Sequence, residues 1–143
     1  MKIVFASNNK KKLEEIRKLL PEGFQLLSLA DVNIYEEIPE TGRTFSENAL
    51  IKAEFVNDKT GLSCFADDSG LEVEALNMRP GVYSARYAGE PPDDQANINR
   101  LLKEMLGLKN RSSQFHTVIA LIINGDTHFF EGIIKGSITT EQR

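Results

Sequence analysis

"KIVFASNNKKKLEEIRKLL", residues 2–20, decides how the rest of the chain is read. Lys2 to Ser7 is a short, largely apolar run with the character of a strand. From Lys11 on, Leu13, Ile16, Leu19 and Leu20 recur at helical spacing until Pro21. The stretch therefore predicts strand, turn and helix. Its turn and helix start carry Lys10, Lys11 and Lys12, where a helix N-terminus favours acidic side chains. An anion would relieve that conflict, because exposed amides at a helix start plus ammonium groups form a phosphate cradle, and Asn8 and Asn9 tolerate left-handed backbone. A solvated lysine run is the competing reading. The pattern G-x-x-x-x-G-K-[ST] occurs nowhere, so this is not a Walker A loop.

Beyond Pro21, "FQLLSL" (24–29) reads as a second strand and residues 31–44, with Pro39 and Gly42, as a loop. A second helix is expected over 45–57, with Ala49, Ala53 and Val56 on one face and Thr44 and Glu47 spaced as a capping box. "LSCFA" (62–66) is a short buried strand ending at Asp67, and residues 77–92, with three prolines and two glycines, are irregular. A third helix over 93–106 places Ile98, Leu101, Leu102, Met105 and Leu106 on one face and stops at Gly107. The runs "QFHTVIALII" and "THFFEGIIKGSI" flank Asn124-Gly125-Asp126, a strong hairpin signal. The first of them is apolar on both faces, as in a central strand covered by helices. The fold class is α/β, with a mixed central β-sheet flanked by helices.

The chain has 143 residues, 41% hydrophobic and 27% charged, enough for one domain that buries roughly 70% of its unfolded surface. There is neither a run of about 20 apolar residues nor a signal-type apolar segment before Asn8, so a cytoplasmic protein with no membrane partner is expected. A net charge of −4 argues against nucleic acid as a partner. The charge is uneven: six basic residues against Glu14 and Glu15 give residues 2–18 a charge of +4, leaving −8 on the remainder. The single cysteine, Cys64, excludes an internal disulfide and is read as core. His116 and His128 lack metal-ligand spacing and are read as core or surface histidines.

Asp67-Asp68-Ser69-Gly70 breaks the buried strand with two carboxylates. Adjacent aspartates on a strand point to opposite faces and cannot share a proton unless the strand has ended, so one of them is the working residue. Ser69 and Gly70 are expected to form a turn that exposes a carboxylate at the strand's C-terminal edge, where such sheets place their chemistry. A hard oxygen ligand there suits Mg²⁺, which takes one or two carboxylates plus substrate phosphates. A merely capped turn is the alternative.

"SNNKKKLEEI" (7–16), "ETGRTFSENALIKA" (40–53), "FADDSGLEVEAL" (65–76) and "PGVYSARYAG" (80–89) stand in the order and spacing of the inosine triphosphate pyrophosphatase family, which the chain resembles over nearly its whole length. The resemblance implies an ITPase-like architecture, related to anticodon-binding and Maf-like folds, with a cleft between two lobes. It implies Mg²⁺-dependent hydrolysis of deaminated purine nucleoside triphosphates (ITP, dITP, XTP) to the monophosphate and pyrophosphate, and a homodimer. By the same resemblance Asp68 is the catalytic carboxylate and a metal contact, and Glu40 is the second metal contact. Ser7, Asn8, Asn9, Lys10, Lys11 and Lys12 form the triphosphate loop, and Ser69 touches substrate. Lys52 is directed toward the phosphates, against the alternative of a solvent-facing lysine opposite Ala49, Ala53 and Val56. Arg86 either approaches substrate or ties down its loop, with the structural role favoured. Asp67 either supports the turn or adds a hydrogen bond behind the residues that touch substrate.

Members of that family continue with a Gly-Phe-Gly-Tyr-Asp-Pro segment, a lysine and a Ser-His-Arg segment that grip the purine, whereas this sequence stops at "GSITTEQR". The expectation is a single domain over 1–143 without that C-terminal segment. Its alternative function is a non-catalytic triphosphate-binding module or inactive fragment, and an aspartyl-nucleophile phosphomonoesterase is a third reading raised by the Asp pair alone.

Overall fold

The computed structural model describes residues 1–142. Its elements run β1 (Lys2–Phe5), α1 (Lys10–Leu19), β2 (Gln25–Leu27), α2 (Phe45–Thr60), β3 (Ser63–Val73), β4 (Arg79–Pro80), α3 (Asp94–Glu104), β5 (Ser112–Ile123) and β6 (Asp126–Ser137), with short 3₁₀ turns at Ala30–Val32, Glu74–Leu76 and Gly81–Arg86. The strands bond in the order β2-β1-β3-β5-β6, and β4 adds to β3. β1 pairs parallel with both β2 and β3, while β3 pairs antiparallel with β4. The sheet is mixed and flanked by helices, as the sequence implies.

The chain divides into two compact units, one of residues 1–68 and 118–130, the other of residues 69–117 and the segment from Glu131 on. In the first, the pleat sorts side chains between two helices. Ile3 and Phe5 of β1 join Leu13 of α1 and Leu26 of β2, with Phe65 packed against them. Val4 and Ala6 join Ala49, Ala53 and Val56 of α2, Cys64 and Ala66 of β3, and Ala120 and Ile122 of β5. Phe5 and Phe65 stack with ring centroids 4.8 Å apart. β5 contributes to both clusters, with Leu121 on the α1 side, as expected of a strand covered on both faces. Cys64 is fully buried and its Sγ lies 3.1 Å from the Ala53 carbonyl oxygen; burial pushes the thiol up to about 11.

The second unit has a smaller core of Val73, Leu76 and Met105, with Leu71, Leu101 and Ile138 against it. Arg111 donates to the carbonyls of Met105, Leu108, Ile138 and Thr139, gathering two chain segments onto one guanidinium. Ser84 accepts from the Leu71 amide at 2.8 Å and so ties the Gly81–Arg86 turn to β3.

Several local expectations change. α2 runs three residues beyond Asn57, to Thr60, and is closed by Gly61 at φ 69°. Thr44 caps it by accepting from Glu47 N, but Glu47 reaches back to Arg43 N and not to the cap residue itself. The turn at Ser69-Gly70 does not form: β3 continues unbroken from Ser63 to Val73. The physical reason is a change of neighbour. β1 pairs with β3 only as far as Phe65, and the antiparallel partner β4 takes over at Glu72 and Val73, so strand geometry is wanted on both sides of the aspartates. Asn124 and Gly125 both have positive φ, 50° and 80°, and close a two-residue hairpin between β5 and β6. Every residue of β6 is exposed. No helix among the described residues is long and apolar enough to cross a membrane.

Phe5→Ala removes one ring of the Phe5–Phe65 stack from a closed core and is expected to cost about 3–5 kcal/mol in a urea unfolding experiment. Cys64 should stay unreactive toward an aromatic disulfide reagent in the native protein and react once in denaturant.

Candidate active site

The alternation that sorts apolar residues on β3 continues through its aspartates. Phe65 lies on the α1 side of the sheet, Cys64 and Ala66 on the α2 side. Asp67 follows Phe65 in parity and Asp68 follows Ala66. Accordingly, the Asp67 carboxylate meets Lys12 of α1, with Oδ2 3.0 Å from Nζ, and the Asp68 carboxylate meets α2, accepting from Asn48 Nδ2 at 3.1 Å. Two neighbouring carboxylates are thereby given to two different helices and do not form a proton-sharing pair.

The loop before α1 is built from side chain to backbone bonds. Asn9 is the N-cap, its Oδ1 accepting from Lys12 N at 3.1 Å, and Ser7 Oγ accepts from Asn9 N at 3.0 Å. Asn8 Oδ1 accepts from Ala30 N at 2.9 Å and anchors the loop to the 3₁₀ turn. The expected left-handed backbone is absent: Asn9 is extended at φ −69°, and Asn8 is not among the residues with positive φ. Side-chain oxygens do the work that unusual backbone was expected to do. Lys10, Lys11 and Lys12 occupy the first turn of α1, which holds no acidic residue, and all three are exposed. Lys12 alone of them is bonded to a carboxylate in the described structure.

Lys52 is not solvent-facing. Its side chain is 14% exposed, and its ammonium group lies 3.0 Å from Glu40 Oε1 and donates to the backbone carbonyl of Asp67. It thus joins the Glu40 loop to the strand bearing both aspartates. Asn48, one turn earlier on α2, makes a parallel link. Its Oδ1 accepts from Gly42 N at 2.7 Å while its Nδ2 donates to Asp68. Gly42 is required for this approach, because a Cβ there would lie 2.6 Å from Glu47 Cβ and 2.7 Å from Asn48 Oδ1. Asn48 is 1% exposed and was missed in the sequence. Its signal was there: an amide side chain beside Ala49 and four residues before Lys52, on the face of α2 that enters the core.

Ser69 follows Asp68 directly on β3. Arg86, in the second unit, lies 3.8 Å from Glu90 and over the Tyr83 ring, contacts within four residues of it along the chain. His116 lies on β5 and His128 on β6.

Among the described residues no group of three or more His, Cys, Asp or Glu side chains forms a preassembled metal centre. The donors present are nonetheless the kind that Mg²⁺ takes: carboxylates, Glu40 and Asp68, held from one helix by Lys52 and Asn48, with phosphate oxygens left to complete the shell. The residues fit a divalent cation that is bound together with an anionic substrate.

Residues 3–143 match the Ham1 family. The chain belongs to that family. It is 56% identical over 139 residues to a dITP/XTP pyrophosphatase of Flavobacterium johnsoniae, a match covering 97% of this chain and 72% of that protein. The Ham1 protein of Staphylococcus aureus superposes with a TM-score of 0.94 at 38% identity, over 100% of this chain and 74% of that one. A HAM1 protein from Coxiella burnetii gives the same TM-score at 40% identity, over 100% and 75%. Both the architecture and the sequence relationship therefore agree with the resemblance carried by the four motifs.

Asn48→Ala should leave the far-ultraviolet circular dichroism spectrum intact while costing about 1–3 kcal/mol of stability, because the Gly42 amide and the Asp68 carboxylate lose a buried hydrogen-bond partner. A urea unfolding curve of the purified variant checks this.

Proposed function

We propose that this Ham1-family chain hydrolyses deaminated purine nucleoside triphosphates, ITP, dITP and XTP, to the monophosphate and pyrophosphate. The observation that carries the proposal is the 56% identity, across 97% of the chain, to a protein named dITP/XTP pyrophosphatase. The geometry around Asp67 and Asp68 supports it.

In the proposed reaction a water oxygen bonds to the α-phosphorus while the bond to the α–β bridging oxygen breaks and pyrophosphate leaves. The electron pair and negative charge go to the leaving group, so cationic groups along the chain of phosphates stabilise the transition state. Lys12 and Lys52 supply ammonium groups already held near Asp67. Lys10, Lys11 and the first amides of α1 add positive potential, while Ser7, Asn8 and Asn9 hold that loop in shape for the triphosphate. Asp68 orients the attacking water and accepts its proton, and Ser69, next in the chain, contacts substrate. Glu40 and Asp68 would hold Mg²⁺. When bound, the ion neutralises phosphate charge and polarises the scissile phosphorus. The Lys52–Glu40 pair supports that reading of the second carboxylate.

The whole chain incubated with Mg²⁺ and ITP, XTP or ATP should release pyrophosphate and not orthophosphate, with ITP and XTP preferred. Asp68→Asn should reduce turnover by at least about 100-fold. Orthophosphate as the product, or full activity in Asp68→Asn, overturns the assignment. Triphosphate binding without turnover would identify a binding module instead.

A further inference from the structure

The second unit holds a polar cluster that the proposed hydrolysis does not use. His116, on β5, places Nδ1 2.9 Å from Glu72 Oε1 of β3 and Nε2 3.0 Å from Glu131 Oε2 of β6. Glu72 Oε1 also accepts from Gln114 Nε2 at 2.9 Å, two residues from His116 on the same face of β5. One imidazole thus bridges carboxylates from the strands on either side of it.

A neutral imidazole has one N–H donor and one lone pair, and an ionised carboxylate only accepts. Both short contacts are hydrogen bonds only when the ring carries two protons. With one proton lost, a nitrogen lone pair faces a carboxylate oxygen at one end. We propose that His116 works as a proton-operated clasp: its doubly protonated ring ties β3 to β6 across β5, and loss of one ring proton releases Glu131 and loosens β6 within this unit. Glu131 is the end that lets go, because its side chain is 64% exposed and water can replace the ring, whereas Glu72 is 17% exposed and keeps Gln114.

The surrounding charges agree. Burial opposes a charge on the ring, but the hydrogen bonds and negative charges of Glu131 and Glu72 outweigh it and raise His116 above the ordinary imidazole value. β4, paired with β3 at Glu72 and Val73, contributes Arg79, whose guanidinium is turned to the Leu76 carbonyl and to Glu104. Glu74 and Lys135 line, with Glu72 and Gln114, a cavity of about 300 Å³ on the same strands. The folded state binds the proton more tightly than an unfolded chain does. The clasp's contribution to stability is therefore fully present below about pH 6.5 and is lost as pH rises through the raised folded-state value.

The test is a nuclear magnetic resonance titration of the whole isotope-labelled chain from about pH 5 to 8, with amide exchange measured in parallel and corrected for its intrinsic pH dependence. Both His116 ring nitrogens should carry protons at the acidic end, and the midpoint should lie above the ordinary imidazole value. Protection of the amides of residues 131–137 should fall by up to about five-fold through that same midpoint. Glu131→Gln, at an exposed position, should lower the midpoint and abolish the pH dependence of protection. His116→Arg, permanently charged, should keep protection constant across the range. A midpoint at or below the ordinary value, a ring with one protonated nitrogen throughout, or a midpoint unmoved in Glu131→Gln overturns the clasp.

Discussion

The period of two along β3 is the constraint on which the first unit depends. From Cys64 to Asp68 each residue is committed to α1 or α2 by parity, first for packing and then for charge. A shift of one residue in the pairing of β3 with β1 would bury Phe65 among the alanines of α2 and send both carboxylates to the wrong helix. The register is held by the packing it must produce. Val4, Ala49, Ala53, Val56, Cys64 and Ala66 have no measurable exposure or almost none, so no slack is available for a slipped strand.

Against that fixed frame the polar residues are arranged to tie loops to strands. Lys52 and Asn48, one turn apart on α2, reach Glu40 and Gly42 on one side and Asp67 and Asp68 on the other. The pairs differ in what they contribute. Lys12–Asp67 is partly in water, with Lys12 46% exposed, and adds little stability, which leaves its ammonium group able to change partners. Lys52 is largely enclosed, so losing Glu40 would leave a charge with poor access to water. Lys12 thus sits at the Asp67 carboxylate, and Lys52 at the Glu40 carboxylate and the Asp67 carbonyl.

The second unit uses a different economy of materials. Its buried apolar set is small, and polar groups do much of the joining: Arg111 serves four carbonyls, Ser84 fixes the turn after β4, and His116 links three strands. Its part of β6 shows Ile133 45% and Ile134 75% exposed, so little apolar burial holds that segment to its neighbours. Under those conditions a single charged imidazole is a noticeable fraction of the attachment, whereas in the first unit it would be lost among the core contacts.

The sequence alone determined most of the elements and the motifs, because both are local. Periodicities of two and 3.6, Thr44 as a cap and Asn124-Gly125 between two apolar runs all act through a few neighbouring residues. The four motifs likewise announced the family without any coordinates. What only the tertiary structure decided were questions of partner. Ser69 and Gly70 look like a turn until β4 is seen pairing with β3 beyond them, and Lys52 looks equally like a surface residue until Glu40 and Asp67 close over it. Asn48 and His116 drew no functional reading, since their roles rest on residues 20, 44 and 15 positions away. Hydrogen bonds and ion pairs of this kind are short-ranged in space and indifferent to distance along the chain. They exist only once packing has brought the strands and helices together.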